Sequence, residues 1–211
     1  MKTLKKILIF IVIVVIGIFY SYGTWSKEIF DTSIGSMSYE KTDFLISGSV
    51  LEQEFECDRQ GLSGFTLKLL KQEGQQLGNY DWIIQETESG KLIAKGEIGE
   101  AETETRLFQS SNPQKQGTIR VKFPCQKDSK EKKYKLVLKA TDIQDVESAA
   151  VYLTNSNSVV SSLKVNGQTI SGKASVLKLD CKRFNAETFV VFLGIAAYLW
   201  VFIKFMYKLF K

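Results

Sequence analysis

Residues 7–25, ILIFIVIVVIGIFYSYGTW, run without a single formal charge. At 1.5 Å per residue a helix of that length matches a hydrocarbon core of roughly 30 Å. A second apolar stretch, TFVVFLGIAAYLWVFI, begins at Thr188 and extends to residue 207 once Lys204 turns its ammonium toward the headgroups. Two transmembrane helices, 7–25 and 188–207, are therefore expected. Lys2, Lys5 and Lys6 precede the first run, and Lys204, Lys208 and Lys211 close the second, so residues 1–6 and 208–211 are expected in the cytoplasm. Lys182 and Arg183 oppose that orientation, but an even number of spans with the N-terminus inside requires the C-terminus inside too. The rival reading of the first run is a cleaved signal peptide with Ser21-Tyr22-Gly23 as its small-x-small site. The aromatic group Phe19, Tyr20, Tyr22 and Trp25 looks instead like an interfacial belt, which favours a retained anchor. The first cysteine is Cys57, too far along the chain to carry a lipoprotein anchor.

Charge follows this topology. The chain of 211 residues carries +5, yet the six terminal lysines account for +6 and leave residues 7–203 at −1. The basicity is local to the membrane flanks, which removes the basis for nucleic-acid binding. What lies between the apolar runs has room for one extracytoplasmic domain with a real core. It has no His, no CxxC and no G-x-S-x-G elbow, so neither a metal site nor a familiar nucleophile and base is in view. No catalysis and no cofactor are expected. Of the three cysteines, Cys57 and Cys125 sit in apparent strands and form the candidate disulfide; the alternative is that all three thiols stay free.

Residues 26–42 mix small and polar side chains and read as a tether. From 43 to 181 the pattern becomes short β-branched and aromatic runs separated by turn signals. Strands are expected at 45–50, 52–57, 62–70, 80–86, 91–97, 105–109, 118–124, 133–140, 149–153, 162–165, 168–170 and 175–179, with a turn of helix in 142–150. Alternation is clean where Phe65, Leu67 and Leu69 oppose Thr66 and Lys68, and where Tyr134, Leu136 and Leu138 oppose Lys135 and Lys139. One wet face per strand points to an antiparallel β-sandwich rather than a parallel α/β sheet. Asn166-Gly167 between LKV and QTI is a two-residue hairpin signal.

Several motifs then fall in order: Phe55-x-Cys57, Gly61-Leu62-Ser63-Gly64-Phe65-x-Leu67, Tyr80-x-Trp82-x-Ile84-x-Glu86, Ile119-x-Val121-x-Phe123 and Lys133-Tyr134-x-Leu136-x-Leu138. Together, over residues 44–155, they resemble the jelly-roll, carbohydrate-binding-like modules of bacterial membrane proteins in surface-polysaccharide assembly. The resemblance implies a mainly β, jelly-roll-like sandwich in the cell envelope and a glycan ligand, and constrains architecture more than function.

For such a ligand the candidate contacts are an aromatic platform of Tyr80, Trp82 and Tyr152, with Gln85, Glu86 and Asn155 as polar neighbours. The competing reading is that Tyr80, Trp82 and Ile84, at period two, form an inner strand face. Glu97, Glu100, Glu102 and Glu104 offer oxygens to calcium but lack its ligand spacing, and read as a solvated loop. The basic segment 127–133 reads as a hairpin loop. Gly194, Ala196, Ala197 and Tyr198 in the second run form a small-residue patch for close helix packing, against the first helix through Gly17 or, as the alternative, against a foreign subunit. The function expected is a membrane-anchored, non-catalytic accessory protein that binds glycan or a partner enzyme in envelope polysaccharide assembly. The alternative is a ligand-sensing or accessory subunit of a signalling or transport complex. The partners implied are the bilayer, an envelope glycan, and a membrane glycosyltransferase or transporter subunit.

Overall fold

The computed structural model describes residues 2–71, 77–99, 117–141 and 149–210. The chain divides into two compact units, one formed by Met1–Trp25 with Lys182–Lys211 and the other by Ser26–Cys181.

In the first unit, α1 (Lys2–Ser21) packs against α2 (Ala186–Leu209). Asn185 caps α2, its side-chain oxygen accepting from the Thr188 N–H at 3.1 Å, and Glu187 places a negative charge in the first turn. Among the described residues α2 is the one helix long and apolar enough to cross a membrane, with a mean hydropathy of 2.2 and none of that window buried. The expectation of two spans is corrected here. The apolar part of α1, Ile7–Ser21, rises only about 22 Å, because the chain turns at Tyr22 from helix into strand β1 (Tyr22–Glu28). The backbone carbonyl of Ser21 accepts from the Asn185 N–H at 2.9 Å, which fixes that end. The pairing of small residues is also corrected. Gly17 meets aromatic rings, and a Cβ built there would lie 2.8 Å from Cδ1 of Phe192, whereas Gly194 has open space around it. Lys204 holds its ammonium 4.0 Å from the centroid of the Trp200 ring.

The second unit is an antiparallel sandwich. After β1 come β2 (Glu40–Lys41), β3 (Val50–Cys57), β4 (Leu62–Lys71), β5 (Asn79–Glu86), β6 (Leu92–Ile98), β7 (Thr118–Gln126), β8 (Lys132–Thr141), β9 (Ala149–Asn155), β10 (Val160–Val165), β11 (Gln168–Thr169), β12 (Lys173–Ser175) and β13 (Leu177–Phe184). One sheet runs β11-β10-β3-β8-β5-β6. The other runs β1-β13-β4-β9-β12, with β2 on β9 and β7 on β4. Every pairing with a defined register is antiparallel.

Alternation puts Leu51, Phe55, Tyr80, Trp82, Ile84, Tyr134, Leu136 and Leu138 of the first sheet into one core with Phe65, Leu67, Leu69, Val151, Leu177 and Leu179 of the second. Gln53 is fully buried among them, and its Oε1 accepts from the Ser175 N–H at 2.8 Å, joining the two sheets with a polar link. The Asn166-Gly167 hairpin has both residues at positive φ, 51° and 76°, with Val165 opposite Gln168. That is the geometry a two-residue turn needs to follow strand twist.

Local expectations differ in four places. Residues 26–42 are not a tether: Ile29 and Phe30 are buried, and β2 pairs with β9. Residues 45–49 form a turn rather than a strand, with Ser49 donating its N–H to the Ile46 carbonyl at 2.8 Å. The expected strand at 175–179 is divided between β12 and β13, with β13 continuing to Phe184. Cys57 and Cys125 are not paired; Cys125 is exposed and Cys57 buried, and both are free thiols. The expected strand at 105–109 and the helical turn from 142 to 148 lie outside the described residues.

Candidate functional site

Alternation that sends Phe65, Leu67 and Leu69 inward leaves Thr66 and Lys68 of β4 on the outer face of their sheet. Register brings Thr118 of β7 opposite Lys68 and Lys178 of β13 opposite Thr66. Residues 29–39 cross this face as a strap. Asp31 donates its backbone N–H to the Asn155 carbonyl at 3.0 Å, and Phe30 forms a bridge with Ser156. The Asp31 carboxylate accepts from the Ser33 N–H at 2.9 Å, turning the chain, and the Gly35 carbonyl accepts from the Ser38 N–H at 2.9 Å to close a short 3₁₀ turn. Phe30 packs with Ala174 and Val176 against Tyr39 and Tyr152, a small apolar cluster separate from the main core. That cluster anchors the strap.

Between strap and sheet lies a cleft of about 350 Å³ lined by residues that include Phe30, Tyr39, Thr66, Lys68, Thr118 and Lys178. The rings of Phe30 and Tyr39 meet edge to face, with centroids 6.2 Å apart. The Lys68 ammonium stands 5.8 Å from the centroid of Tyr39 and 5.4 Å from that of Tyr152, close enough for cation–π attraction to both. Lys178 is paired with Glu28 at 2.7 Å. For the Glu28 carboxyl, burial pulls upward, but the hydrogen bond and charge of Lys178 override it and hold the group below its usual range. Lys68 moves down from the ordinary lysine value, chiefly through burial and then through the neighbouring charge of Lys178. Among the described residues no carboxylate forms an ion pair with Lys68. The site therefore offers one partly desolvated cation, hydroxyls at Thr66 and Thr118, and two aromatic edges, a set suited to an anionic, hydroxyl-rich ligand.

The six candidates read from the sequence do not converge. Tyr80 and Trp82 are core residues, which corrects the platform. Tyr80 is fully buried, its hydroxyl accepts from the Ala149 N–H at 2.9 Å, and burial pushes its phenol up to about 12. Trp82 lies edge-on to Phe65 at 5.5 Å and against Phe123 at 6.3 Å, rings that belong to the opposite sheet. Gln85 and Glu86 are on β5 in that same first sheet, half-buried. Glu86 is held by Ser89 and by Lys132, 3.0 Å away. Asn155 is exposed on β9 and accepts from the Lys173 ammonium at 3.2 Å. None of the six lines the cleft, and Tyr152 reaches it only through two residues that do, its ring 6.4 Å from that of Tyr39 and 5.4 Å from the Lys68 ammonium. Phe30, Tyr39, Thr66 and Lys68 were not among the candidates. The usable signal was an apolar pair, Ile29-Phe30, and a lone Tyr39 in a segment too aromatic for a solvated tether.

Elsewhere, residues 127–133 include the turn between β7 and β8, with Glu131 at φ 63° and Lys130 and Lys132 in ion pairs. Glu97 is exposed on β6, while Glu100, Glu102 and Glu104 lie outside the described residues. Among the described residues no group of three or more His, Cys, Asp or Glu is placed to hold a metal. No protein-family model matches the chain, and no curated protein is significantly similar to it.

Proposed function

We propose that the chain is a membrane-anchored, non-catalytic binding module of the cell envelope, whose strap-covered cleft takes an acidic saccharide and offers it to a partner enzyme of polysaccharide assembly. The observation that carries this reading is Lys68, a partly buried ammonium without a carboxylate partner among the described residues, set between Tyr39 and Tyr152 at the cleft. Sugar rings present apolar faces that suit aromatic edges, and a uronate or phosphate group would supply the charge that Lys68 lacks. In this reading α2 is the anchor, its lysine-bearing end at Lys204 and Lys208 lying in the cytoplasm and the sandwich on the outer side. The α1 helix packs beside α2 in the same apolar layer. A jelly-roll, carbohydrate-binding-like ancestry suits a two-sheet antiparallel sandwich with a ligand cleft on a sheet face.

Lys68→Gln tests the reading because the side chain is half-exposed and its loss leaves the core intact. With the full chain in detergent, titration with an oligouronate should show roughly tenfold weaker binding in the variant, the equivalent of one charge-assisted contact. A neutral oligosaccharide of equal length should bind weakly to both proteins. Equal affinity of wild type and variant for the oligouronate would remove the cleft from the function.

A further inference from the structure

Cys57 ends β3 in one sheet and Cys181 lies near the end of β13 in the other, and both are buried, at 0% and 1% exposure, in the shared core. Register sets Cys181 opposite Leu62, whose N–H belongs to the same hydrogen-bonded group as the Cys57 thiol, and each thiol lies within the other's electrostatic reach. Around them the Cys57 thiol donates to the Arg59 carbonyl at 3.1 Å, and Ser129 donates its hydroxyl to that carbonyl at 2.8 Å while accepting from the Leu62 N–H at 3.0 Å. Two thiols brought into one core from facing sheets need their β-carbons within about 4.5 Å to form a disulfide. Cys125 is exposed on β7 and outside this cluster.

We propose that Cys57 and Cys181 are a modification site, oxidised to one disulfide that ties β3 to β13 and thereby one sheet to the other. The oxidant is a disulfide, RS–SR, of a thiol oxidoreductase or a small-molecule couple. The Cys57 thiolate, its proton lost to water, attacks one sulfur to give a mixed disulfide and release RS⁻. The Cys181 thiolate then attacks the Cys57 sulfur, forms the intramolecular bond and releases the second RS⁻. Two protein thiols are oxidised, one disulfide is reduced to two thiols, and the two protons end on the leaving groups. Because both groups are buried, exchange takes place before the sandwich closes. Cys181 is also the last residue of the sandwich unit, so the bond would pin β13 where the chain leaves it.

The test uses the full chain in detergent, as wild type and as Cys125→Ser, unfolded in urea and refolded with oxidised glutathione. Free thiols are then blocked with a maleimide under denaturing conditions, and the chain is cut with trypsin without reduction. Mass spectrometry should find the peptide at 42–59 joined to that at 179–182, two mass units lighter than the pair. Closing a loop of about 120 residues should raise the melting temperature by about 5–10 °C over the dithiothreitol-treated sample. Maleimide on both Cys57 and Cys181, glutathione on either one alone, or Cys57 joined to the peptide at 123–127 would overturn the proposal. An unchanged melting temperature in a fully bridged sample would overturn the clamp.

Discussion

Trp82→Ala is expected to lower the unfolding free energy by about 3–5 kcal/mol, the range for deleting a large aromatic from a core that cannot collapse around the hole. The indole is 6% exposed and lies between rings of the facing sheet, Phe65 at 5.5 Å and Phe123 at 6.3 Å. Its other side is against Gly96, where an added Cβ would come within 2.8 Å of the indole. Rigid strands bound it on both sides, so little can move in to fill the space. Urea unfolding of the full chain in detergent, followed by the β-sheet circular dichroism signal, measures the loss. Any weakening of saccharide binding in this variant should track the unfolded fraction, and binding of the folded fraction should match wild type. A cost below 1 kcal/mol together with abolished binding would return Trp82 to the ligand surface.

That outcome bears on what a sequence can reveal about such a fold. Strand alternation was readable because each strand has one wet and one dry face: Tyr134, Leu136 and Leu138 go inward, and Lys135 and Lys139 do not. The same period-two rule makes Tyr80 and Trp82 as suitable for a core as for a platform, and pattern alone does not choose between them. What decides is the second sheet, which brings Phe65 and Phe123 onto the indole from strands tens of residues away. The cleft was hidden for a related reason. Lys68 is an unremarkable wet-face lysine until residues 29–39 fold over it, and that strap depends on long-range links such as Asp31 to Asn155.

Helix length shows the opposite limit. The uncharged run 7–25 was visible, but hydropathy does not mark where helix becomes strand. Tyr22, Gly23, Thr24 and Trp25 are tolerated in either state, and pairing of β1 beside β13 settles them as strand. The thiols follow the same logic: residence in apparent strands made Cys57 and Cys125 look equivalent, while only the sheet order brings Cys57 to Cys181.

Gly64→Ala should destabilise the chain by about 2–3 kcal/mol, as overpacking at a site with no room to relax does. Gly64 lies in β4 between Asp180 of β13 and Lys122 of β7, next to register shifts on both sides. A methyl there would collide with the backbone carbonyl oxygen of Val121 and press on the Asp180 Cβ at 3.4 Å. A strand carbonyl cannot rotate away as a side chain can, so β4 and β7 must separate. The separation would also strain the buried Asp180 carboxylate, which accepts from Arg120 at 2.5 Å across this same surface. Loss of that contact leaves a carboxylate short of partners in a 1% exposed position. Lys122→Ala, at an exposed neighbouring position, is the control and should change stability by less than about 0.5 kcal/mol. Urea midpoints for the two variants, measured side by side, test the close approach of β4 and β7 directly. Equal midpoints for Gly64→Ala and wild type would mean that the strands stand further apart than their register here allows.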